Sequence, residues 1–244
     1  MFLVGLPETN AIQNSLEEEN KRYHDIVQGN FNDTYVNLSY KNIMGKIWVS
    51  AFCKQAEFVV KTDDDMFVDL FEVFSLTRSY LNNTQYRDDR FLLCPVWKTL
   101  PIIRDPKNKW FVSEEDIPAG EEFYPPSCSG WLYITTPATA GSLAAAAAGS
   151  PVFWIDDVWV TGYLASKVGI KHLDINHLWT MRGEELLLYK TIQTPYTHNK
   201  DFLAGPMNRN FQLSYALQRK AKWCFQSNCY NNIYRMLPLP SIKL

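Results

Sequence analysis

The chain lacks an excess of charge of either sign: 24 Lys and Arg stand against 26 Asp and Glu, a formal net charge of -2. Such a balance offers no electrostatic footprint for nucleic acid or an anionic membrane, so neither is expected as a partner. A basic N-terminal lead is also missing. Met1-Phe2-Leu3-Val4-Gly5-Leu6-Pro7-Glu8 holds too short an apolar run for a signal peptide. Long apolar runs are scarce. The longest uncharged stretch, Phe123 to Ile155, is broken by Pro125, Pro126, Pro137 and Pro151. Its unbroken part, Ala138 to Ala148, is mostly alanine. A bilayer crossing needs about 20 apolar residues, so a soluble chain is expected.

Metal-binding and phosphate-binding signatures of the common kinds are absent too. The five cysteines (Cys53, Cys94, Cys128, Cys224 and Cys229) form no CxxC pair and have no His at ligand spacing. Cys224 and Cys229 are close enough for a local disulfide. Neither GxxxxGK[ST] nor GxGxxG occurs. Three N-glycosylation sequons begin at Asn32, Asn37 and Asn82, a weak pointer to a secretory route. What the chain does have is apolar material: 46% hydrophobic residues with 20% charged, enough for a full core and against wholesale disorder. Aromatics reach 14%, and filling that core is their first use. No repeat, linker or composition break interrupts the 244 residues, so a single domain over 1–244 is expected.

Along the first third the periodicity alternates. Phe2 to Gly5 predicts a strand, Leu16 to His24 an exposed helix, and Asp25 to Gln28 a second strand. Ile43, Met44, Ile47, Trp48 and Ala51 have the spacing of an amphipathic helix over Tyr40 to Gln55. Glu57 to Thr62 is β-rich, and Val68 to Tyr80 is helical by spacing. Strand and helix in alternation predict a parallel α/β sheet, where ligands sit beyond the carboxyl ends of the strands. Further strands are expected over Phe91 to Trp97, Lys109 to Val112 and Trp131 to Thr136. Helices are expected over Thr139 to Ala148 and from Asp157 to Lys167. Beyond residue 190 the pattern is poor.

Two acidic clusters carry the chemistry. Asp63-Asp64-Asp65 ends the β-rich run. Unit charges about 4 Å apart cost about 1 kcal/mol in water and several times more near a protein surface. Three adjacent carboxylates therefore call for full solvation or a cation, and oxygen-only ligands favour Mg, Mn or Ca. An EF-hand is excluded, because Phe67 and Val68 stand where an oxygen ligand and a glycine belong. Asp156-Asp157 follows Phe153-Trp154-Ile155 and precedes a helix. Either residue can cap that helix, and an aromatic-lined carboxylate can also serve as a general base. Lys61 stands next to the triplet as a phosphate ligand or an ion-pair partner. Among the histidines, His24, His172 and His177 read as structural. His198 lies in a polar loop, where it either faces solvent or completes a metal shell.

Blocks of the chain, in order, resemble the β-1,3-galactosyltransferase and β-1,3-N-acetylglucosaminyltransferase family, glycosyltransferase family 31, which also holds the Fringe enzymes. The resemblance rests on Phe2-Leu3-Val4-Gly5, Tyr23 to Gln28, Phe31 to Lys41, Trp48, Cys53, Ala56 and Lys61. It continues through Asp63-Asp64-Asp65-Met66-Phe67-Val68, Lys109 to Ser113, Tyr124 to Gly130 and Asp156-Asp157-Val158-Trp159-Val160. It covers residues 1 to about 165.

The resemblance implies a GT-A fold: a nucleotide-binding α/β sheet flanked by helices, with an acceptor side. It implies an Mn2+-dependent hexosyltransferase that takes UDP-galactose or UDP-N-acetylglucosamine. Such an enzyme inverts the anomeric centre and makes a β-1,3 bond to a glycoprotein or glycolipid acceptor. By motif position Asp65 binds the metal, with Asp63 at the ribose or in the metal shell and Asp157 as the base. Lys61, Asp64, Trp131 and Asp156 border the nucleotide sugar, and His198 is the candidate late metal ligand. Trp131 replaces a common glycine and narrows the sugar or acceptor pocket, while Asp156 replaces the usual Glu. The family's block upstream of Phe2, with its first strand, anchor and stem, is not in this sequence. One catalytic domain truncated at its N-terminus is therefore expected. Family members sit on the lumenal side of the Golgi membrane. Two other readings stand beside this one: a non-catalytic or chaperone-like module of the same fold, and a metal-dependent phosphohydrolase, which needs more ligands than two clusters supply.

Overall fold

A computed structural model describes residues 1–82, 90–186 and 203–227. The described residues fall into two compact units, one of 1–61 with 90–174 and one of 62–82, 175–186 and 203–227.

The first unit opens with strand β1 (Phe2–Leu6), helix α1 (Asn10–Tyr23) and strand β2 (Ile26–Asn32). β1 pairs in parallel with β2, Phe2 opposite Ile26. Helix α1 begins earlier than its charge pattern suggests, because Thr9 caps it: its hydroxyl accepts from the Ile12 amide at 3.4 Å. It ends at His24, which takes the left-handed conformation at φ 53°. Helix α2 (Leu38–Phe52) packs against β1 and against helix α4 (Pro137–Ala148). Thr136 caps α4 and Pro137 fills its first turn, where a missing N–H costs nothing.

Strand β3 (Val59–Thr62) belongs to a four-stranded sheet with β5 (Phe91–Cys94), β8 (Leu132–Thr135) and β9 (Lys171–Asp174), in the order β3-β8-β5-β9. Strands β5 and β8 are buried throughout, as strands covered on both faces are. The sheet is mixed rather than parallel: β5 runs parallel to β9 but antiparallel to β8. Alternation of strand and helix along the first third does not extend to residues 91–135, where β5 and β8 are joined without a crossover helix.

Two further expectations change. The apolar run Phe91 to Trp97 breaks at Pro95 into β5 and a short β6 (Val96–Trp97), which pairs with β7 (Ser127–Cys128). Lys109 to Val112 makes no strand, only an isolated bridge from Phe111 to Ile103. Arg104 organises that loop instead. Its guanidinium donates to the carbonyls of Val112, Ser113, Ile117 and Pro118.

A π-helical segment, Val158–Leu164, follows Asp157 and runs into α5 (Ala165–Lys167), where an ordinary helix was expected. Wide turns of this kind often mark functional positions. Here the wide turn sends neighbouring residues into different cores. Val158 packs with Ile102, Val112, Ile117 and Tyr124, while Trp159 and Val160 join Leu92, Tyr133 and Leu143.

In the second unit, Met66–Val68 forms strand β4, so Val68 ends a strand where the start of a helix was expected, and β4 pairs antiparallel with β10 (Ala204–Pro206). Helix α3 (Leu70–Asn82) starts after Asp69, whose carboxylate accepts from the Phe71 and Glu72 amides at 3.1 Å. Phe67, Leu186, Met207, Leu213, Leu217 and Ala221 form the core of this unit. The last three come from α6 (Phe211–Gln226), where they recur every fourth residue. Among the described residues no helix is long and apolar enough to cross a membrane.

A disulfide joins Cys94 at the end of β5 to Cys128 in β7. Cys229 lies outside the described residues, and with it the Cys224–Cys229 pair. Replacing both Cys94 and Cys128 with Ser should lower the unfolding free energy by about 2–4 kcal/mol, through the loop closure lost from the unfolded chain. Urea melts of the double variant check this.

Candidate active site

The first unit brings together five residues named from the sequence or next to one: Lys61, Gly130, Trp131, Asp156 and Asp157. Asp157 stands at the entry to the π-helix with both carboxylate oxygens occupied. Oδ1 accepts from the Val158 amide at 2.8 Å and Oδ2 from the Gly130 amide at 3.1 Å. The first bond is the expected cap of the helix that follows. The second reaches across to the segment after β7, where a glycine lets the two approach closely. A Cβ on residue 130 would lie 3.2 Å from Asp157 Oδ2 and 3.3 Å from its Cβ.

Several ties hold the two segments in that register. Thr161 donates its hydroxyl to the Asp157 carbonyl at 2.5 Å and accepts from the Cys128 amide at 2.8 Å. The Ser129 amide donates to the Pro95 carbonyl at 2.8 Å, next to the disulfide. A Cβ on Gly162 would stand 3.2 Å from the Pro125 ring, so the π-helix lies close against this segment. Lys61, at the end of β3, donates its ammonium to the Gly130 carbonyl. Trp131 is half-buried beside Gly130, and its amide donates to the Ser129 hydroxyl at 3.4 Å.

The electrostatics follow from this enclosure. Burial pushes the Asp157 carboxyl up to about 6, and the negative charge of Asp156 adds to the rise. The Val158 and Gly130 amides and the Lys61 charge pull the other way. A carboxylate in this range accepts a proton near neutral pH far better than an ordinary one.

Asp156 is half-buried, and its Oδ2 accepts from the Asn42 amide at 2.9 Å. Behind Asn42 lie Lys46 and Tyr133, both buried. Neither was expected at the site. Lys46 reads from the sequence as one more charge on an amphipathic helix, and Tyr133 as one aromatic in a strand. Nothing in the linear pattern joins residues 42, 46 and 133 to 156.

Asp63, Asp64 and Asp65 belong to the second unit. Asp64 and Asp65 form an exposed turn between β3 and β4, and Asp63 is half-buried. Backbone bonds tie the turn, Met66 N to Asp63 O at 3.4 Å and Met207 N to Asp65 O at 2.9 Å. Exposure of Asp64 and Asp65 lets water screen the repulsion between them. It also suits a hard divalent cation: the donors are all oxygen, and an open turn leaves room for ligands from elsewhere. Among the described residues no three His, Cys, Asp or Glu side chains cluster as a metal cage. His198 lies outside the described residues. His172 is half-buried, with Nε2 2.7 Å from the Thr161 carbonyl, and burial lowers its pKa. That contact gives it a structural place in β9.

The family model for galactosyltransferases matches residues 1–176. Among curated proteins, human beta-1,3-galactosyltransferase 5 is 37% identical over 159 residues, which is 65% of this chain and 49% of the relative. The gorilla protein of the same name has the same identity over 51% of its length. Mouse beta-1,3-galactosyltransferase 1 is 32% identical over 197 residues, 80% of this chain and 58% of the relative. The chain thus spans about half the length of these relatives.

Two outcomes are expected of the site. Gly130→Ala should displace the Asp157 carboxylate and break its bond to residue 130, with a fall in Tm measurable by calorimetry. The second concerns pH. The folded carboxyl titrates near 6 against an ordinary 3.8, so the folded state holds more protons across that window. The contribution of this group to stability should therefore fall as pH rises from 3.8 to 6. Asp157→Asn should flatten that slope in melts recorded as a function of pH.

Proposed function

The chain belongs to the galactosyltransferase family, and we propose that it is an inverting, UDP-sugar-dependent β-1,3-glycosyltransferase of GT-A architecture. It transfers galactose or N-acetylglucosamine to a hydroxyl of a glycoprotein or glycolipid glycan. The observation that carries the reading is the Asp157 carboxyl, held by two backbone amides and pushed up to about 6.

Each Asp157 oxygen, with one amide bond made, keeps a lone pair for an acceptor hydroxyl. The hydroxyl oxygen forms its bond to the anomeric carbon as the bond from that carbon to the UDP oxygen breaks. The hydroxyl proton passes to Asp157, and UDP leaves with the electron pair. The amides of Gly130 and Val158 keep the base from rotating, which is where fixed geometry lowers a barrier. Asp65 and Asp63, with His198 as a further candidate, would hold Mn2+, whose charge would neutralise the leaving diphosphate. Trp131, beside the base, offers an aromatic wall to a sugar face. Lys61 and Asp156 border the nucleotide sugar on the side of the base, and Asp64 is a further candidate ligand for it. A disulfide persists in an oxidising compartment, and the sequons fit the same route, which supports a lumenal Golgi location.

UDP release from UDP-galactose or UDP-N-acetylglucosamine, with a β-galactoside or N-acetylgalactosamine acceptor, tests the reading. Asp157→Asn should lower kcat by about 10²–10⁴-fold, the usual worth of a general base. Full activity in that variant would sink the base assignment. Asp65→Ala should abolish the Mn-dependent thermal stabilisation given by UDP. Stabilisation by UDP without sugar transfer would instead mark a binding module.

A further inference from the structure

Beneath the acidic pair lies a chain of polar groups that the reaction above leaves unused. Lys46 of α2 is 4% exposed, Asn42 is 5% exposed and Tyr133 of β8 is fully buried. The Lys46 ammonium donates to the Tyr133 hydroxyl at 2.6 Å and to Asn42 Oδ1 at 3.0 Å. The Tyr133 hydroxyl donates to the same Asn42 Oδ1 at 2.7 Å. Asn42 Nδ2 then donates to Asp156 Oδ2 at 2.9 Å. We propose, resting on the reading of Asp157 as the base, that Asn42, Lys46 and Tyr133 form a buried relay of positioning residues. The relay fixes the Asp156 carboxylate and thereby sets the charge and orientation of Asp157 for glycosyl transfer.

A lysine this deep is costly, because its charge has left water. A core that needed only packing would have an apolar residue at 46 for less. The cost is visible in the group itself: burial brings the Lys46 ammonium down to about 7, and the Lys61 charge pushes it further in the same direction, while Asp156 opposes both. The other elements packed on α2 (β1, β2, α4, the turn Tyr35–Asn37 and the π-helix) bring Tyr35 and Tyr163 as their ionisable groups. Lys46 also lies 4.5 Å from the Tyr133 ring centre, which offsets part of the burial.

The direction of the hydrogen bonds gives the arrangement its use. Two donors on Asn42 Oδ1 draw electron density through the amide and strengthen its N–H as a donor. The acceptor of that strengthened bond is the Asp156 carboxylate, which is thereby held in one orientation. A fixed negative charge one residue from the base helps to keep the Asp157 carboxyl well above its ordinary value. Without the relay, Asp156 turns toward solvent, its repulsion weakens and Asp157 becomes a poorer base.

The test reads the Asp157 titration directly, by carboxyl NMR on the protein alone, beside the pH profile of kcat. Two variants serve. Tyr133→Phe removes one oxygen from the relay. Asn42→Leu combined with Lys46→Met replaces both buried partners by apolar groups, which avoids leaving one unpaired. Both should lower the Asp157 midpoint and the acidic limb of kcat by about one pH unit. Donor KM should hold, with kcat falling by up to about 10²-fold. A folded variant of either kind that keeps the wild-type midpoint overturns the relay. If the double variant does not fold, Tyr133→Phe decides. Absence of sugar transfer by the wild-type protein would defeat the base reading instead, and the NMR midpoints would still report on the relay.

Discussion

Enclosing one carboxylate is the constraint from which the rest of the first unit follows. A carboxyl group taken out of water needs donors, and Asp157 finds them on two segments far apart in the chain: the amide of its own helix at Val158 and the amide of Gly130. The second donor fixes much else. A Cβ on residue 130 would crowd the Asp157 carboxylate, and the segment around it is tied down by the Cys94–Cys128 disulfide and by Thr161. Gly162 lets the π-helix lie close enough for those ties to form. Two amides are enough to hold the group in place but not to cancel the burial, so the carboxyl remains above its ordinary range.

The two acidic clusters meet the same repulsion in opposite ways. Asp64 and Asp65 stand on an exposed turn tied by backbone hydrogen bonds, and water screens them. Asp156 and Asp157 are partly withdrawn from water, so their charges are met by specific partners: Asn42 on one side, Gly130 and Val158 on the other. A buried lysine two hydrogen bonds away belongs to this second solution. An exposed pair would gain little from such a lysine, because surface charge pairs are worth little.

The local pattern of the chain was legible where local physics decides it. Helix α2 shows in the spacing of Ile43, Met44, Ile47 and Trp48, and strands β1, β3 and β8 show as short β-rich runs. It failed where a long-range partner overrides local preference. Val68 looks like the first residue of the helix that follows, but it pairs with β10, a strand from the part of the chain whose pattern was poor. Lys109 to Val112 looks like a strand, yet Arg104 takes the carbonyls of Val112 and Ser113. The turn after Asp157 widens into a π-helix because Val158 and Trp159 are drawn into different cores. Helix α6 did carry a readable signal, with Leu213, Leu217 and Ala221 four residues apart.

The sequence by itself determined which residue types were available for chemistry, and the order in which they occur. It placed a carboxylate triplet after a β-rich run, a carboxylate pair at a helix start, and family-like blocks around both. These are short-range facts, fixed by spacing and by the charges of neighbours. Only the tertiary structure decided which carboxylate is enclosed, that its second donor is the amide of residue 130, and that Lys46 reaches Asp156 through Asn42. Hydrogen bonds and desolvation act over a few ångströms of space, and residues 42, 130, 133 and 157 become neighbours only when the strands and helices that carry them have packed.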